Sequence, residues 1–386
     1  MTTLAPHAPS GDEARAAAAL RGESAFYDLV ALGLSVYARA RFRIRVLGAP
    51  VERRAGMLYV STHRSDDDVP LLVAALYGRV HELPRHGPAV HFVVRDDLFE
   101  PGFFAGYPSG LPRLARRLLW RVSVGAILRR HLPCHPAAWP NGMRLVQLLR
   151  GCPDTPLEEL LPEPLLAPLR ARAAELGEAP RLARDVLRGE YADLLWRLTS
   201  REEADEPAAQ AWWRSRREAA IRDFQELVDV LRAGRSLFIC PEGIPSADGT
   251  IGPLMGGVSG LAKRGEPEAL VPLAPAYDPL VRGRPRAYVG VGAPTDPQLE
   301  VEETLALLRR TTPLTVGSSL AAALADGADP EERLARDVER ARAEGRPHEP
   351  ELADPGVRRE RLAEARSAAA GRDLTRLVNE YRSARA

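Results

Sequence analysis

Apolar and polar positions along the chain fall into short runs that predict strands alternating with helices. Residues 23–38 predict an apolar helix. From Arg39 to Val46 the arginines at 39, 41, 43 and 45 alternate with Ala40, Phe42, Ile44 and Val46, the period of two expected of a half-exposed strand. Further apolar runs predict strands near 57–61, 90–95, 123–128, 236–240, 270–276 and 286–292. Helices are expected near 68–78, 111–121, 212–233 and 258–264. This alternation predicts an α/β fold with a largely parallel central sheet flanked by helices. Residues 1–21 are expected to be a disordered lead-in and 22–295 the main domain, with 135–218 a helical insertion. From Asp296 the chain turns Ala-, Arg- and Glu-rich with helical spacing, so 296–386 is expected to be a helical C-terminal appendage.

Two of the strands run straight into polar turns. After Met57-Leu58-Tyr59-Val60 comes Ser61-Thr62-His63-Arg64-Ser65, then Asp66-Asp67-Asp68 ahead of Val69-Pro70-Leu71-Leu72, a helix start with acidic cap candidates and proline in its first turn. His63 is thereby expected at the carboxyl end of a strand, where open α/β sheets keep their ligands. Asp68, just inside the helix, can fold back onto the imidazole and hold one ring nitrogen protonated, which leaves the other to act as a base. The plainer alternative makes the Asp triplet a helix cap and His63 an ordinary loop residue. The second segment, Ser236-Leu237-Phe238-Ile239-Cys240-Pro241-Glu242-Gly243, is another strand entering a turn, and the pair together favours chemistry.

These residues resemble the glycerolipid acyltransferases typified by 1-acylglycerol-3-phosphate acyltransferase, in which an Asn-His-x4-Asp block leads several others in fixed order. Phe92-Val93-Val94-Arg95-Asp96-Asp97-Leu98-Phe99-Glu100-Pro101-Gly102-Phe103-Phe104 is similar to the next block, and Gly125-Ala126-Ile127-Leu128-Arg129-Arg130 to a Gly-x-Ile…Arg block. Pro241-Glu242-Gly243 resembles the Pro-Glu-Gly-Thr-Arg block, Gly257-Val258-Ser259-Gly260-Leu261-Ala262 a Gly-rich helix start, and Val271-Pro272-Leu273 the closing Val-Pro-Val strand. The chain departs from the pattern in having Thr62 for Asn, Ile244-Pro245 for Thr-Arg, and Leu254-Met255-Gly256-Gly257 for Phe-Lys-x-Gly. Both lost cations would stand near an acceptor phosphate.

The resemblance implies direct acyl transfer from a thioester, acyl-CoA or acyl-carrier protein, to a lysophospholipid hydroxyl, most simply that of 1-acylglycerol-3-phosphate. His63 would be the general base and Asp68 its orienter, Glu242 and Gly243 would position the acceptor, and Arg95 and Arg130 would contact phosphate. No cofactor or metal is implied. A different polar-lipid or glycolipid hydroxyl is the alternative acceptor, and a non-catalytic lipid-binding protein of the same fold is a third reading. A thioester is already activated, which agrees with the lack of a nucleophile elbow: Gly257-Val258-Ser259-Gly260 is followed by Leu261, not glycine.

Composition narrows the classes further. The 386 residues carry 53 basic and 52 acidic side chains, a net charge of +1 that points to no polyanionic partner. Lys263 is the single lysine, so arginine fills cationic positions whatever their role, and no nucleic-acid module is visible. Three cysteines without a pairing pattern fit a reducing cytosol. The uncharged run Leu29–Ala38 is half the length of a bilayer-spanning helix, so membrane contact is expected to be peripheral, on the inner face of the cell membrane. The basic segment Pro112–Arg121 reads either as a helix lying on an anionic membrane or as one packing its leucines inward. His81, His86 and His91 are spaced by five, not by the four that pairs zinc ligands on a helix, and are expected to be loop residues. The insertion's Trp139, Trp196, Trp212 and Trp213 suit either a packed helical cap or an acyl-binding lid.

Overall fold

In a computed structural model the described residues are all except 1–10, 51–53, 78–88, 107–110, 126–127, 129–131, 139–141, 205, 244, 247 and 386, together with the side chains of 11–25. The fold is α/β, with a mostly parallel seven-stranded central sheet flanked by helices. Its strands are β1 (Arg43–Gly48), β2 (Met57–Ser61), β3 (Val90–Arg95), β4 (Cys134–Ala137), β7 (Ser236–Ile239), β8 (Ala269–Asp278) and β9 (Arg286–Val291), in the spatial order β1-β9-β8-β2-β7-β3-β4. A separate antiparallel pair consists of β5 (Gly142–Arg144) and β6 (Leu198–Ser200).

The chain divides into two compact units, residues 1–91 with 230–386, and residues 92–229. In the first unit β2 is parallel to both β7 and β8, while β8 and β9 run antiparallel. All five residues of β2 are buried, and the first four, Met57–Val60, are the continuous apolar run that a strand covered on both faces requires. The parallel strands therefore deliver Ser61 and Ile239 to the same end of the sheet, where the turns carrying His63 and Glu242 begin. Helix Asp68–Leu76 starts with Asp67 at its N-cap and Pro70 in its first turn, where a missing N–H costs nothing. Asp67 does not cap through its side chain; it takes Arg41 Nε at 3.0 Å and the Tyr37 hydroxyl at 2.9 Å instead.

Among the described residues after 300 there are five α-helices, Val301–Thr311, Val316–Asp326, Pro330–Ala343, Pro355–Ala369 and Thr375–Ser383. A core of Leu280, Leu314, Leu320, Leu334, Val338, Leu362, Leu377 and Tyr381 joins the last four of them. A buried polar knot reinforces that core. Asp337, 2% exposed, accepts bonds from Ser319 Oγ at 2.6 Å, the Tyr381 hydroxyl at 2.9 Å and Arg385 Nη2 at 2.7 Å.

The second unit has its own apolar core, built on Leu145, Leu148, Leu149, Leu160, Leu165, Leu169, Tyr191 and Leu195. Trp196 and Trp213 are buried in it, and the Trp213 indole donates to the Ala204 carbonyl at 2.8 Å; Trp212 packs against the same core, and Trp139 lies outside the described residues. Helix Arg113–Leu119 exposes Leu114 and Leu118 but neutralises its cations locally: Arg113 pairs with Glu175, Arg116 with Asp193 and Arg117 with Glu190, at 2.9, 2.9 and 2.8 Å.

Three sequence expectations are corrected. Where a strand was expected over 123–128, Leu128 N–H donates to Val124 O, a helical bond, and a strand forms at Cys134–Ala137 instead. The alternation from Arg39 does not begin a strand, because helix Gly11–Arg41 continues through it and β1 starts at Arg43. His91 is not a loop residue but a buried position of β3, while His81 and His86 lie outside the described residues.

Candidate active site

The site is assembled in the first unit from the turn after β2, the first turn of helix Asp68–Leu76, the end of β8 and the turn after β7. His63 Nδ1 lies 2.9 Å from Asp68 Oδ2. The same oxygen accepts the backbone N–H groups of Arg64 and Ser65, the latter at 2.9 Å. The Tyr277 hydroxyl donates to the other oxygen, Oδ1, at 2.5 Å. Asp68 is fully buried, so its charge needs all four donors in place of water.

This packing fixes the tautomer. A carboxylate that already receives three donors offers only acceptor capacity to the imidazole, so Nδ1 carries the proton and Nε2 is left with its lone pair. Nε2 has no hydrogen-bond partner among the described residues, and the His63 side chain keeps 16% exposure. Burial, then the negative charge of Asp68, raises the Tyr277 hydroxyl far above its ordinary range, so Tyr277 stays a donor at any working pH.

Glu242 braces rather than reaches out. Its Oε1 accepts the His63 N–H at 2.8 Å and its Oε2 accepts the Gly252 N–H at 2.9 Å. The carboxylate is 9% exposed, and burial pushes its carboxyl above the usual carboxylate range against the pull of those two bonds. Gly243 sits at φ +76°, and a Cβ there would fall 2.2 Å from the Met255 methyl, so the turn needs glycine for both conformation and space. Ser246 N–H closes the junction on the His63 carbonyl at 2.9 Å. Cys240, just before this turn, has a buried thiol whose pKa burial raises well above its ordinary value, which makes it an unreactive neighbour.

His63, Asp68, Glu242 and Gly243 are thus drawn together within one unit. Arg95 lies in the second unit, where its guanidinium pairs with Asp97 at 3.1 Å, and Arg130 is outside the described residues. Two participants were not singled out from the sequence. Tyr277 lies just past the apolar run at 270–276, and its role requires a contact across 209 positions. Arg64 is 2% exposed and donates through Nη1 to the Gly249 carbonyl; its place directly after the candidate base was the available signal, and its burial was not readable from the sequence. A cavity of about 620 Å³ in the same unit, lined by Arg45, Arg286, Glu349, Arg361 and Glu364 among others, includes none of the site residues. Its charges pair among themselves, as in Arg45–Glu349 at 2.9 Å.

No family model and no curated protein matches the chain. Among solved structures it is similar to the 1-acyl-sn-glycerophosphate acyltransferase PlsC from Thermotoga maritima, at 13% identity over 72% of this chain and 73% of that one, with a TM-score of 0.35. At that score the likeness carries no argument about the site, which stands on the geometry above.

Proposed function

We propose that the protein is an O-acyltransferase that moves a fatty acyl group from acyl-CoA or acyl-carrier protein to a lipid hydroxyl. The observation that carries this reading is the His63–Asp68 pair: a buried, fully occupied carboxylate holds Nδ1–H, while Nε2 is unpartnered and partly open at the carboxyl end of a parallel strand. The sequence resemblance to glycerolipid acyltransferases supplies the reaction class. His63 Nε2 takes the acceptor's hydroxyl proton as the oxygen attacks the thioester carbonyl. The carbon–sulfur bond breaks on collapse, and the imidazolium returns its proton to the departing thiolate. The carboxylate of Asp68 stabilises the imidazolium between those steps.

The simplest acceptor is 1-acylglycerol-3-phosphate. A specific observation favours a second reading, in which the acceptor is a polar-lipid or glycolipid hydroxyl without a phosphomonoester. Two cations that could replace the missing Thr-Arg and Lys are already neutralised: Lys263 pairs with Glu300 at 2.5 Å and Arg95 with Asp97 at 3.1 Å. No helix among the described residues is long and apolar enough to cross a membrane. We place the protein peripherally on the cytoplasmic face of the cell membrane. Leu29, Val36 and Tyr37, 62%, 50% and 46% exposed on helix Gly11–Arg41, support such a contact. Offering one labelled acyl thioester with a panel of lipid acceptors tests the proposal. Acceptor-dependent ester formation supports it and identifies the acceptor, whereas lipid binding without thioester consumption leaves a binding protein.

A further inference from the structure

The turns that carry His63 and Glu242 are tied to a segment more than 120 residues further along the chain. Arg376 Nη2, on helix Thr375–Ser383, donates to the carbonyl of Arg64, the residue next to His63. Arg64 in turn donates to the Gly249 carbonyl. Asn379 Nδ2 reaches the Asp248 carbonyl at 3.2 Å, and Ser383 Oγ accepts the Ile251 N–H at 2.7 Å. The next residue, Gly252, is the one that donates to Glu242. Gly249 lies at φ +89°, and a Cβ on it would stand 2.7 Å from both the Arg376 carbonyl and Glu380 Cγ, so the turn can approach the helix only as glycine.

The charges follow the same plan. Arg64 is buried with Nη2 unpartnered, and burial lowers its pKa from the ordinary arginine value. The carboxylates of Glu380, Glu242 and Asp68 oppose that penalty, while Arg376 adds to it. Glu380 binds Arg376 at 3.3 Å on one side and faces Arg64 on the other. The helix is itself anchored from behind, because its Tyr381, with Arg385 just beyond it, enters the Asp337 knot. A rigid scaffold therefore ends in two side chains placed on the catalytic turn.

We infer that Arg376 and Glu380 are positioning residues for His63, so that the last helix is part of the catalytic apparatus rather than an appendage. The kinetic arm of this inference rests on the acyl-transfer reading; its structural arm does not. The mechanism is geometric. Arg376 fixes the Arg64–Ser65 peptide, whose N–H, that of Ser65, donates to Asp68 at 2.9 Å, and Glu380 keeps the buried guanidinium of Arg64 compatible with the exposed one of Arg376.

The test compares Arg376→Ala, Arg376→Lys and Glu380→Gln with Arg382→Ala, a control on the same helix whose exposed side chain pairs with Asp326 at 2.9 Å. Acyl transfer and the low-field proton resonance of the His63 Nδ1–H bond to Asp68 are read on each folded protein. Arg376→Ala should lower kcat about 10²-fold with little change in KM for the thioester, since misplacement by about 1 Å has that effect. It should also shift or broaden the resonance. Arg376→Lys should recover part of both, and Arg382→Ala should match wild type. Should Arg376→Ala not fold, Glu380→Gln is read in its place. Folded variants with kcat within about twofold of wild type and an unmoved resonance overturn the inference. A wild type that consumes no thioester refutes the transferase reading instead, and the resonance alone then decides the positioning role.

Discussion

Two histidine–carboxylate pairs in this chain have almost the same contact geometry and opposite surroundings. His63 Nδ1 meets Asp68 at 2.9 Å, and His135 Nδ1 meets Glu226 at 2.7 Å. Both imidazoles are mostly covered, at 16% and 14% side-chain exposure, so neither distance nor histidine burial separates them. The carboxylates do. Asp68 is fully buried and receives three donors besides the imidazole, whereas Glu226 is 56% exposed with no second donor among the described residues. An exposed carboxylate is solvated and screened, and such a pair contributes about 0–1 kcal/mol. A buried one must be satisfied by fixed donors, and those donors hold the ring in one orientation. The lesson is that a candidate catalytic pair is singled out by what surrounds the acid.

The largest expected contrast is between the two acids. Asp68→Asn should lower acyl transfer about 10²- to 10⁴-fold, because the amide offers the wrong group to Nδ1–H. Glu226→Gln should stay within about twofold of wild type; equal losses in both would erase the distinction drawn here. Next comes Tyr277→Phe, which strips Oδ1 of its side-chain donor. It should cost about 1–3 kcal/mol in a denaturant melt and about tenfold in kcat, and an unchanged melt would remove Tyr277 from the support of Asp68.

A subtler test concerns the pH dependence of stability. Burial raises the Glu242 carboxyl in the folded state, so the stability it contributes is present below the ordinary carboxylate range and is lost as pH rises through the raised value. Glu242→Gln removes that loss. The variant's unfolding free energy should therefore improve relative to wild type as pH goes from about 4 to about 7, and parallel curves would contradict the assignment. The smallest effect belongs to the other region. Burial pushes the Cys134 thiol, beside His135, up to about 11, so alkylation at pH 8 should be slow until the protein is denatured. Rapid labelling of the native chain would show that strand to be open.

Much of this was legible in the sequence wherever a local pattern sufficed. β2, β3, β7, β8 and β9 announced themselves as apolar runs, and the helix at Asp68 by its acidic residues and proline. β4 was not legible, because Cys134-His135-Pro136-Ala137 is neither an apolar run nor an alternation, and among the described residues its strand partner is β3. The apolar run at 123–128 was misread for a related reason: a short apolar stretch fits a strand or a helix equally well. In the candidate site, the five-residue spacing placed Asp68 within reach of His63, since both are close in sequence. Tyr277 and Arg376 were hidden because their contacts span 209 and 312 positions, which only the folded chain closes.

Free-thiol release from acyl-CoA by the 386-residue chain, with and without a lipid hydroxyl, tests the central claim most directly. Wild type should release thiol only when acceptor is present, one for each ester formed, and His63→Ala should not do so while remaining folded. Equal release by wild type and His63→Ala, or none from wild type with any acceptor, would contradict the account.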